Sequence, residues 1–415
     1  MRSPIRGAES LAALLVLSWS CGPSGPPPRR ASTRFTPPER DEPHGRKAPP
    51  PPPRASSSSV RSLVESEGNR FGIGLCVVRA DDTATCGCVV SADPDHPPMF
   101  KIIPRPVARY TGVRAIAPAG DHRCTLKADG TVWCRGSNKR GQLGLGHTQR
   151  RRLPTLIPKL RDLVSLTTSW RSTCAVRKDG TAWCWGDAAQ GQAGDGGKVC
   201  GEDDRCAARR LQKRPSRVRG LARELTGVKS VHSSHEFACA LKANGRVWCW
   251  GNNRNGQLGD GSRSSASVAG RVSALAHVRQ LAVDEKQSCA VTRDGKLWCW
   301  PLPGRRRVPV RIPGLAQVRH VATGASHVCA IAAGGKVYCW GANQHGQLGD
   351  GTTTARPKPT AVPGLTGVTV LLGLSFSTCA ARADGTLYCW GAIGQRTGAK
   401  RQTVPTPRKV KLIGK

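Results

Sequence analysis

The chain of 415 residues is poor in the side chains that usually fill a core, with five Phe, three Tyr and two Met. A large aromatic or Met-rich core is therefore excluded. Acidic residues are scarce too: 27 Asp and Glu stand against 64 Lys and Arg, and the formal charge of +37 excludes a neutral surface. No long stretch carries the i, i+3, i+4 apolar spacing of a helix, which excludes a helix bundle. No apolar run approaches the ~20 residues that span a bilayer. What the chain does have is 48 Gly, 31 Pro and 18 Cys, the composition of a turn-dense, cross-linked protein.

Two arginines precede Leu11-Ala-Ala-Leu-Leu-Val-Leu17 and the small-residue stretch Ser18-Trp19-Ser20-Cys21-Gly22. This reads as a secretory signal over 1–20. It resembles a bacterial lipoprotein signal, which makes Cys21 the candidate for acylation and the first residue of the mature chain, although Ser18 stands where such signals usually carry leucine. Residues 21–59 are rich in Pro, Arg and Ser and cannot bury enough apolar surface to order themselves. Proline stiffens such a stretch into a spacer. The expected localisation is exported, at a bacterial outer membrane, periplasm or cell surface, with membrane contact only through the anchor.

Fourteen cysteines form seven pairs, each with nine residues between partners. They are Cys76 with Cys86, Cys124 with Cys134, Cys174 with Cys184, Cys239 with Cys249, Cys289 with Cys299, Cys329 with Cys339, and Cys379 with Cys389. Successive pairs lie about 50 residues apart, a period that marks repeat arrays and propellers. Midway within the pairs stand turn residues such as Asp129-Gly130, Asp179-Gly180, Asn244-Gly245 and Asp294-Gly295. These tolerate the positive φ of tight hairpin turns. Folding each segment about its centre sets Cys opposite Cys and leaves apolar residues on both faces, so the hairpins are buried on both sides, as stacked blades are. Cross-strand disulfides and reduced, buried thiols both fit that placement; export favours the disulfides.

A second phrase follows most pairs: Trp250-Gly251 through Gly256-Gln-Leu-Gly-Asp-Gly261, with counterparts at 340–351, 186–196 and 136–144. Together the two phrases resemble the regulator-of-chromosome-condensation repeat over 60–415. The resemblance implies an all-β, seven-bladed β-propeller with four-stranded blades. The units at 289–301 and 76–88 lack the Gly-Gln-Leu-Gly loop, and Gly394–Gly398 is degenerate, so those blades are expected to be irregular. The C-terminal segment 402–414 matches 357–365 and is expected to add a strand to the blade of Cys76 and Cys86, closing the ring and removing a free sheet edge.

Cys200 and Cys206 lie within an insertion, 195–217, and are expected to pin a protruding loop with a disulfide; a metal site there lacks nearby histidine. Cys88 has no evident mate and is free, exchanged with Cys86, or intermolecular. His122 and His327 occupy the position of the repeat's own histidine, which implies structural hydrogen bonding. Asp195, Asp260 and Asp350 in Gly-Asp-Gly read as turn formers rather than a calcium cage. No nucleophile-and-base arrangement recurs, so no catalytic residue, metal or cofactor is expected.

Of the +37 charge, +32 lies in 60–415. Arg150, Arg151 and Arg152 follow Cys134 by 16–18 residues, Arg356 and Lys358 follow Cys339 by 17 and 19, and Arg105 follows Cys86 by 19. Arg305, Arg306 and Arg307 hold the same phase in a unit ten residues shorter. Equal phase in a ring means one face. Either that face docks an anionic surface, or these are solvated connections of an Arg-rich protein.

The family implied by the resemblance includes nuclear exchange factors for a small GTPase, which also contact chromatin, and a secreted inhibitor of β-lactamases. Export argues against the exchange role. The reading is a monomeric, non-catalytic, surface-displayed binding propeller for a protein or anionic polymer, with nucleic acid disfavoured. The alternative is a secreted inhibitor of a hydrolase.

Overall fold

The computed structural model describes the backbone of four strands between 60 and 105. It then describes 112–412 apart from 120–121, 202, 221–223, 285–286, 302–306 and 398–399. The expected signal, Cys21 and the spacer lie outside the described residues.

Every blade is an antiparallel meander of four consecutive strands. The first holds β1 (Val60–Ser66), β2 (Ile73–Arg79), β3 (Ala84–Ser91) and β4 (Phe100–Arg105). The second holds β5 (Val113–Ala119), β6 (His122–Lys127), β7 (Val132–Gly136) and β8 (Arg151–Leu156). The third holds β9 (Leu163–Thr168), β10 (Ser172–Arg177), β11 (Ala182–Asp187) and β12 (Leu211–Arg217), with helix α1 (Asp204–Arg209) before its outer strand. The fourth holds β13 (Val228–Ser233), β14 (Phe237–Lys242), β15 (Val247–Gly251) and β16 (Ala266–Arg271). The fifth holds β17 (Val278–Val283), β18 (Ser288–Thr292), β19 (Leu297–Trp300) and β20 (Val310–Arg311). The sixth holds β21 (His320–Gly324), β22 (His327–Ile331), β23 (Val337–Gly341) and β24 (Arg356–Ala361). The seventh holds β25 (Val368–Gly373), β26 (Ser377–Arg382), β27 (Leu387–Thr397) and β28 (Lys400–Leu412).

Five of these blades are separate four-stranded sheets, and the first and seventh join into one sheet of eight. The joint is a short parallel pairing of β28 with β4, Val410–Leu412 against Phe100–Ile102. The C-terminal strand therefore reaches the first blade, yet its long antiparallel pairing is with β27. The register explains this: Gly391 faces Val404 as Gly341 faces Arg356 in the sixth blade, so the segment repeats an outer strand and takes that place in its own blade. Adjacent inner strands contact one another from β5 round to β25, and β1 touches both β25 and β5. The ring of seven is closed. The loop-deficient fifth blade is irregular as expected, with an outer strand of two residues.

The hairpins pair at the expected register. Cys239 faces Cys249, Ala240 faces Trp248 and Leu241 faces Val247. Six hairpins are bridged by disulfides, each with its Cα atoms 4.1 Å apart. In chain order, Cys124 is bonded to Cys134, Cys174 to Cys184 and Cys239 to Cys249. Cys289 is bonded to Cys299, Cys329 to Cys339 and Cys379 to Cys389. All twelve of these cysteines are buried inside the blades. In the first blade Cys76 faces Cys86 across β2 and β3, whereas Cys88 faces Gly74. The backbone thus opposes Cys76 to Cys86 rather than to Cys88. Cys200 and Cys206 form a further bridge, which ties the start of the insertion to α1; Asp203 caps that helix by accepting from Cys206 N at 3.0 Å.

One contact explains why the two phrases recur together. The tryptophan after the second cysteine sits at a bulge where β15 slips against β16 between Cys249 and Gly251. Gly251 has φ +107, and a Cβ there would lie 2.4 Å from Glu236 O. A bulge re-aims its extra side chain. Here the buried indole of Trp250 reaches the preceding blade and donates from Nε1 to Gln192 O at 3.0 Å. Trp185, Trp300 and Trp390 donate likewise to Gln142, Gln257 and Gln347, at 2.9–3.0 Å. Gly-Gln-Leu-Gly is thus the socket and the next blade's tryptophan the plug. Where the preceding unit has no such loop the plug changes: Trp340 follows the fifth blade and is 7% exposed, and Arg135 replaces tryptophan after the first.

Candidate binding face

Antiparallel meanders sort their connections. The turns between first and second strands and the Gly-Gln-Leu-Gly loops before outer strands emerge on one face, called here the loop face. The hairpin turns and the links between blades emerge on the other, the turn face.

Two large aromatics stand out on the loop face. Trp170, between β9 and β10, is 51% exposed, and Phe376, between β25 and β26, is 45% exposed. Trp170 packs against His235 of the next blade's turn, ring centroids 5.0 Å apart, and Phe376 meets His345 edge-on at 4.9 Å. Beside Trp170, Arg171 Nη1 and Arg140 Nε lie 3.9 and 3.8 Å from the nearly buried Asp187 Oδ2. That carboxylate holds two guanidinium groups, one of them on the residue that follows the exposed indole. Sequence reasoning passed over both aromatics, because repeat matching registers what recurs, and these turns differ from blade to blade.

The basic residues singled out by phase scatter in role. Arg150, Arg151 and Arg152 are exposed at the start of β8, on the outer rim of the loop face, with Arg151 Nη2 3.1 Å from His147 Nε2. Arg151 and Arg356 hold the same register, each opposite the bulged glycine. Arg356, however, is half-buried and donates from Nε to Asp350 Oδ2 at 2.8 Å. Arg307 is also half-buried, since its stem packs on Gly256 and its carbonyl accepts from Gly261 N. Lys358 is exposed along β24. Arg105 ends β4, and Arg305 and Arg306 lie outside the described residues. Arg150–Arg152 and Arg356 therefore open outer strands at the loop-face rim, whereas Arg105 faces Cys86 in the register that Thr155 holds opposite Cys134, toward the turn face, and the Gly-rich loops engage Arg356 and Arg307.

The remaining candidates are structural. His122 Nε2 contacts Thr173 Oγ1 of the next blade at 3.2 Å, and His327 Nε2 contacts Thr378 Oγ1 at 2.8 Å. Each threonine hydroxyl donates onward to a loop glutamine carbonyl, so each histidine donates from Nε2. Burial pushes both histidines down to about 4. Asp260 and Asp350 accept from the backbone N two residues ahead and from Asn253 and Asn343, while Asp195 binds Arg210 through both oxygens. Those carboxylates close loops. Among the described residues no three His, Cys, Asp or Glu side chains cluster as a metal site would require.

On the turn face, cations stack on the aromatic that precedes the second cysteine: Lys127 on Trp133, Arg177 on Trp183, Lys242 on Trp248 and Arg382 on Tyr388, at 5.0–5.5 Å. The fifth blade has Thr292 at that position, and its Trp298 lines a groove of about 400 Å³ with Leu275, His277 and Arg293.

The described residues 163–192, 228–257 and 318–347 match one model of the regulator of chromosome condensation (RCC1) repeat, and 129–176, 244–291 and 334–379 match a second. Among solved structures the chain is similar to human WBSCR16, at 21% identity and TM-score 0.62, covering 78% of this chain and 88% of that one. It is similar to Prp20p from Saccharomyces cerevisiae, at 21% identity and TM-score 0.59, covering 78% and 83%. A structure of Kap60 bound to yeast RCC1 (Prp20) matches at 22% identity and TM-score 0.58, covering 72% and 75%. Repeat models and similar structures agree: the chain carries RCC1 repeats and has the fold of an RCC1-type β-propeller.

Proposed function

We propose that this chain is a non-catalytic binding propeller that holds a protein partner on its loop face. The observation that carries this reading is Trp170, a half-exposed indole whose sequence neighbour Arg171 shares the Asp187 carboxylate with Arg140. Tryptophan and arginine dominate the energetics of protein interfaces, and a large exposed aromatic is unusual without a partner. The similar yeast protein Prp20 is bound by Kap60 in one structure and is described as binding Gsp1p and histones in another, which supports a protein as the class of partner. Export, anchoring through Cys21 and display on the 21–59 spacer complete the proposal; bridged cysteines suit an oxidising compartment. No helix among the described residues is long and apolar enough to cross a membrane.

The exposed Arg150–Arg152 rim favours a second reading, attachment to an anionic polymer. Salt separates the two, because exposed charges are screened while aromatic burial is not. The test is capture of envelope proteins by the full chain at low and raised salt, alongside Trp170→Ala/Phe376→Ala and Arg150→Gln/Arg151→Gln/Arg152→Gln variants. One stoichiometric partner, kept at raised salt and lost with the aromatic pair, is expected. Unchanged capture by the aromatic variant overturns the reading; a hydrolase as the captured partner identifies the inhibitor alternative.

A further inference from the structure

The inner strands repeat an irregularity just after their first apolar residue. Pairing skips from Val60 to Ser62 in β1, from Val113 to Ala115 in β5, from Val228 to Ser230 in β13, from Val278 to Gln280 in β17 and from Val368 to Val370 in β25. The residues passed over are Arg61, Arg114, Lys229, Arg279 and Thr369. A residue left out of the ladder has a side chain freed from cross-strand pairing.

In the sixth blade Arg319 stands at the same place. The valine before it donates to a hairpin-turn glycine of the preceding blade, Val318 N to Gly295 O at 3.0 Å, as Val278 N does to Gly245 O at 2.9 Å. Val164 fills the place in the third blade. Five of the seven positions are thus cationic, all at the turn-face end of the innermost strands, which surround the propeller axis.

Arg114, Lys229, Arg279 and Arg319 are exposed. Lys229, Arg279 and Arg319 sit on consecutive blades. Arg279 Nη2 donates to Val318 O at 2.7 Å, so this side chain spans from the fifth blade to the sixth and ends beside Arg319. Burial and the positive charge of Arg319 both press the Arg279 pKa downward. Neither arginine has a carboxylate partner among the described residues. An arc of like charges that no carboxylate among the described residues balances stands ready for a multivalent anion.

We propose that this ring is a binding site for a compact polyphosphate-type anion seated on the propeller axis at the turn face. Cationic positions on five of seven inner strands match phosphates projecting outward from a small core, whereas a linear chain crossing the face would meet two or three of them. Guanidinium groups hold phosphate oxygens in pairs, and four of the five cations are arginine. The site lies on the face opposite Trp170 and is independent of the protein-docking proposal.

The probe is inositol hexakisphosphate, titrated calorimetrically into the full chain and into two variants of equal charge loss. One is the ring triple Lys229→Gln/Arg279→Gln/Arg319→Gln; the other is the rim triple Arg150→Gln/Arg151→Gln/Arg152→Gln. One ligand per chain is expected, with affinity falling more than about tenfold in the ring triple and less than about threefold in the rim triple. Melting curves check that both variants are folded; if the ring triple is not, Arg319→Gln alone should lower affinity about threefold. Equal losses in the two triples, no binding, or several ligands per chain overturn the site.

Discussion

Trp300 Nε1 donates to the carbonyl of Gln257, 43 residues earlier, at 3.0 Å. This single bond joins two blades and two motifs. The indole is fully buried and lies so close over Gly259 that a Cβ there would sit 2.7 Å from Nε1. Trp300→Phe should keep the ring but strand the Gln257 carbonyl, a loss of about 1–3 kcal/mol. Gly259→Ala should cost at least as much, because φ is +71 and the space is occupied. Urea unfolding of both variants checks this; stabilities within experimental error of wild type would refute the plug.

The hairpin bridges carry a separate expectation. Each closes a short loop, for which the chain-entropy account gives about 3 kcal/mol, less any native strain. Peptide mapping without reductant should recover the six described hairpin pairs and Cys200–Cys206. Cys239→Ala/Cys249→Ala should lower stability by about 2–3 kcal/mol. Cys200→Ala/Cys206→Ala should leave the propeller's melting temperature nearly unchanged, since that bridge lies in an insertion.

Buried histidines set an acid limit. His122, His232, His320 and His327 are pushed to about 4, with burial the leading cause in each and the neighbouring Arg279 adding to it for His320. The unfolded chain, with ordinary histidines near 6.5, binds more protons between these values, so acid favours unfolding there. Stability should be flat above about pH 7, fall from about pH 6.5, and stop losing from this source below about pH 4. The slope is at most about 1.4 kcal/mol per pH unit for each histidine. Urea midpoints across that range check the window; His327→Gln should flatten part of it.

Retention on an anionic matrix distinguishes free from engaged arginines. The Arg150→Gln/Arg151→Gln/Arg152→Gln variant should elute from heparin at lower salt than wild type. Arg356→Gln should elute much as wild type does, and should instead lose up to about 1 kcal/mol of stability, because its partner Asp350 is nearly buried while Arg356 itself is partly solvated. Equal elution shifts per charge removed would show that only net charge matters.

Much of the fold was legible because it is written in covalent spacing. Cysteines with nine residues between them, around Asp-Gly or Asn-Gly, admit a hairpin in which they meet, and the period near 50 dictates how many hairpins there are. The histidines, too, were readable from their place in the repeat. The basic rim was only half legible: equal phase located Arg151 and Arg356 together, but phase says nothing of whether Asp350 has already taken the charge. The central ring was present in the sequence as Val-Arg and Val-Lys pairs opening most units, yet nothing local marks those residues as convergent.

The sequence by itself determined the local units, namely hairpins, turns and the residues that bridge them, because these depend on contacts within a dozen positions. Tertiary structure alone decided that the C-terminal strand completes its own blade, that Trp170 and Phe376 stay exposed, and that cations about fifty residues apart gather on one axis. Closing a ring brings together groups that share only a phase, and whether a charge meets an acid, a backbone carbonyl or water is settled by that closure.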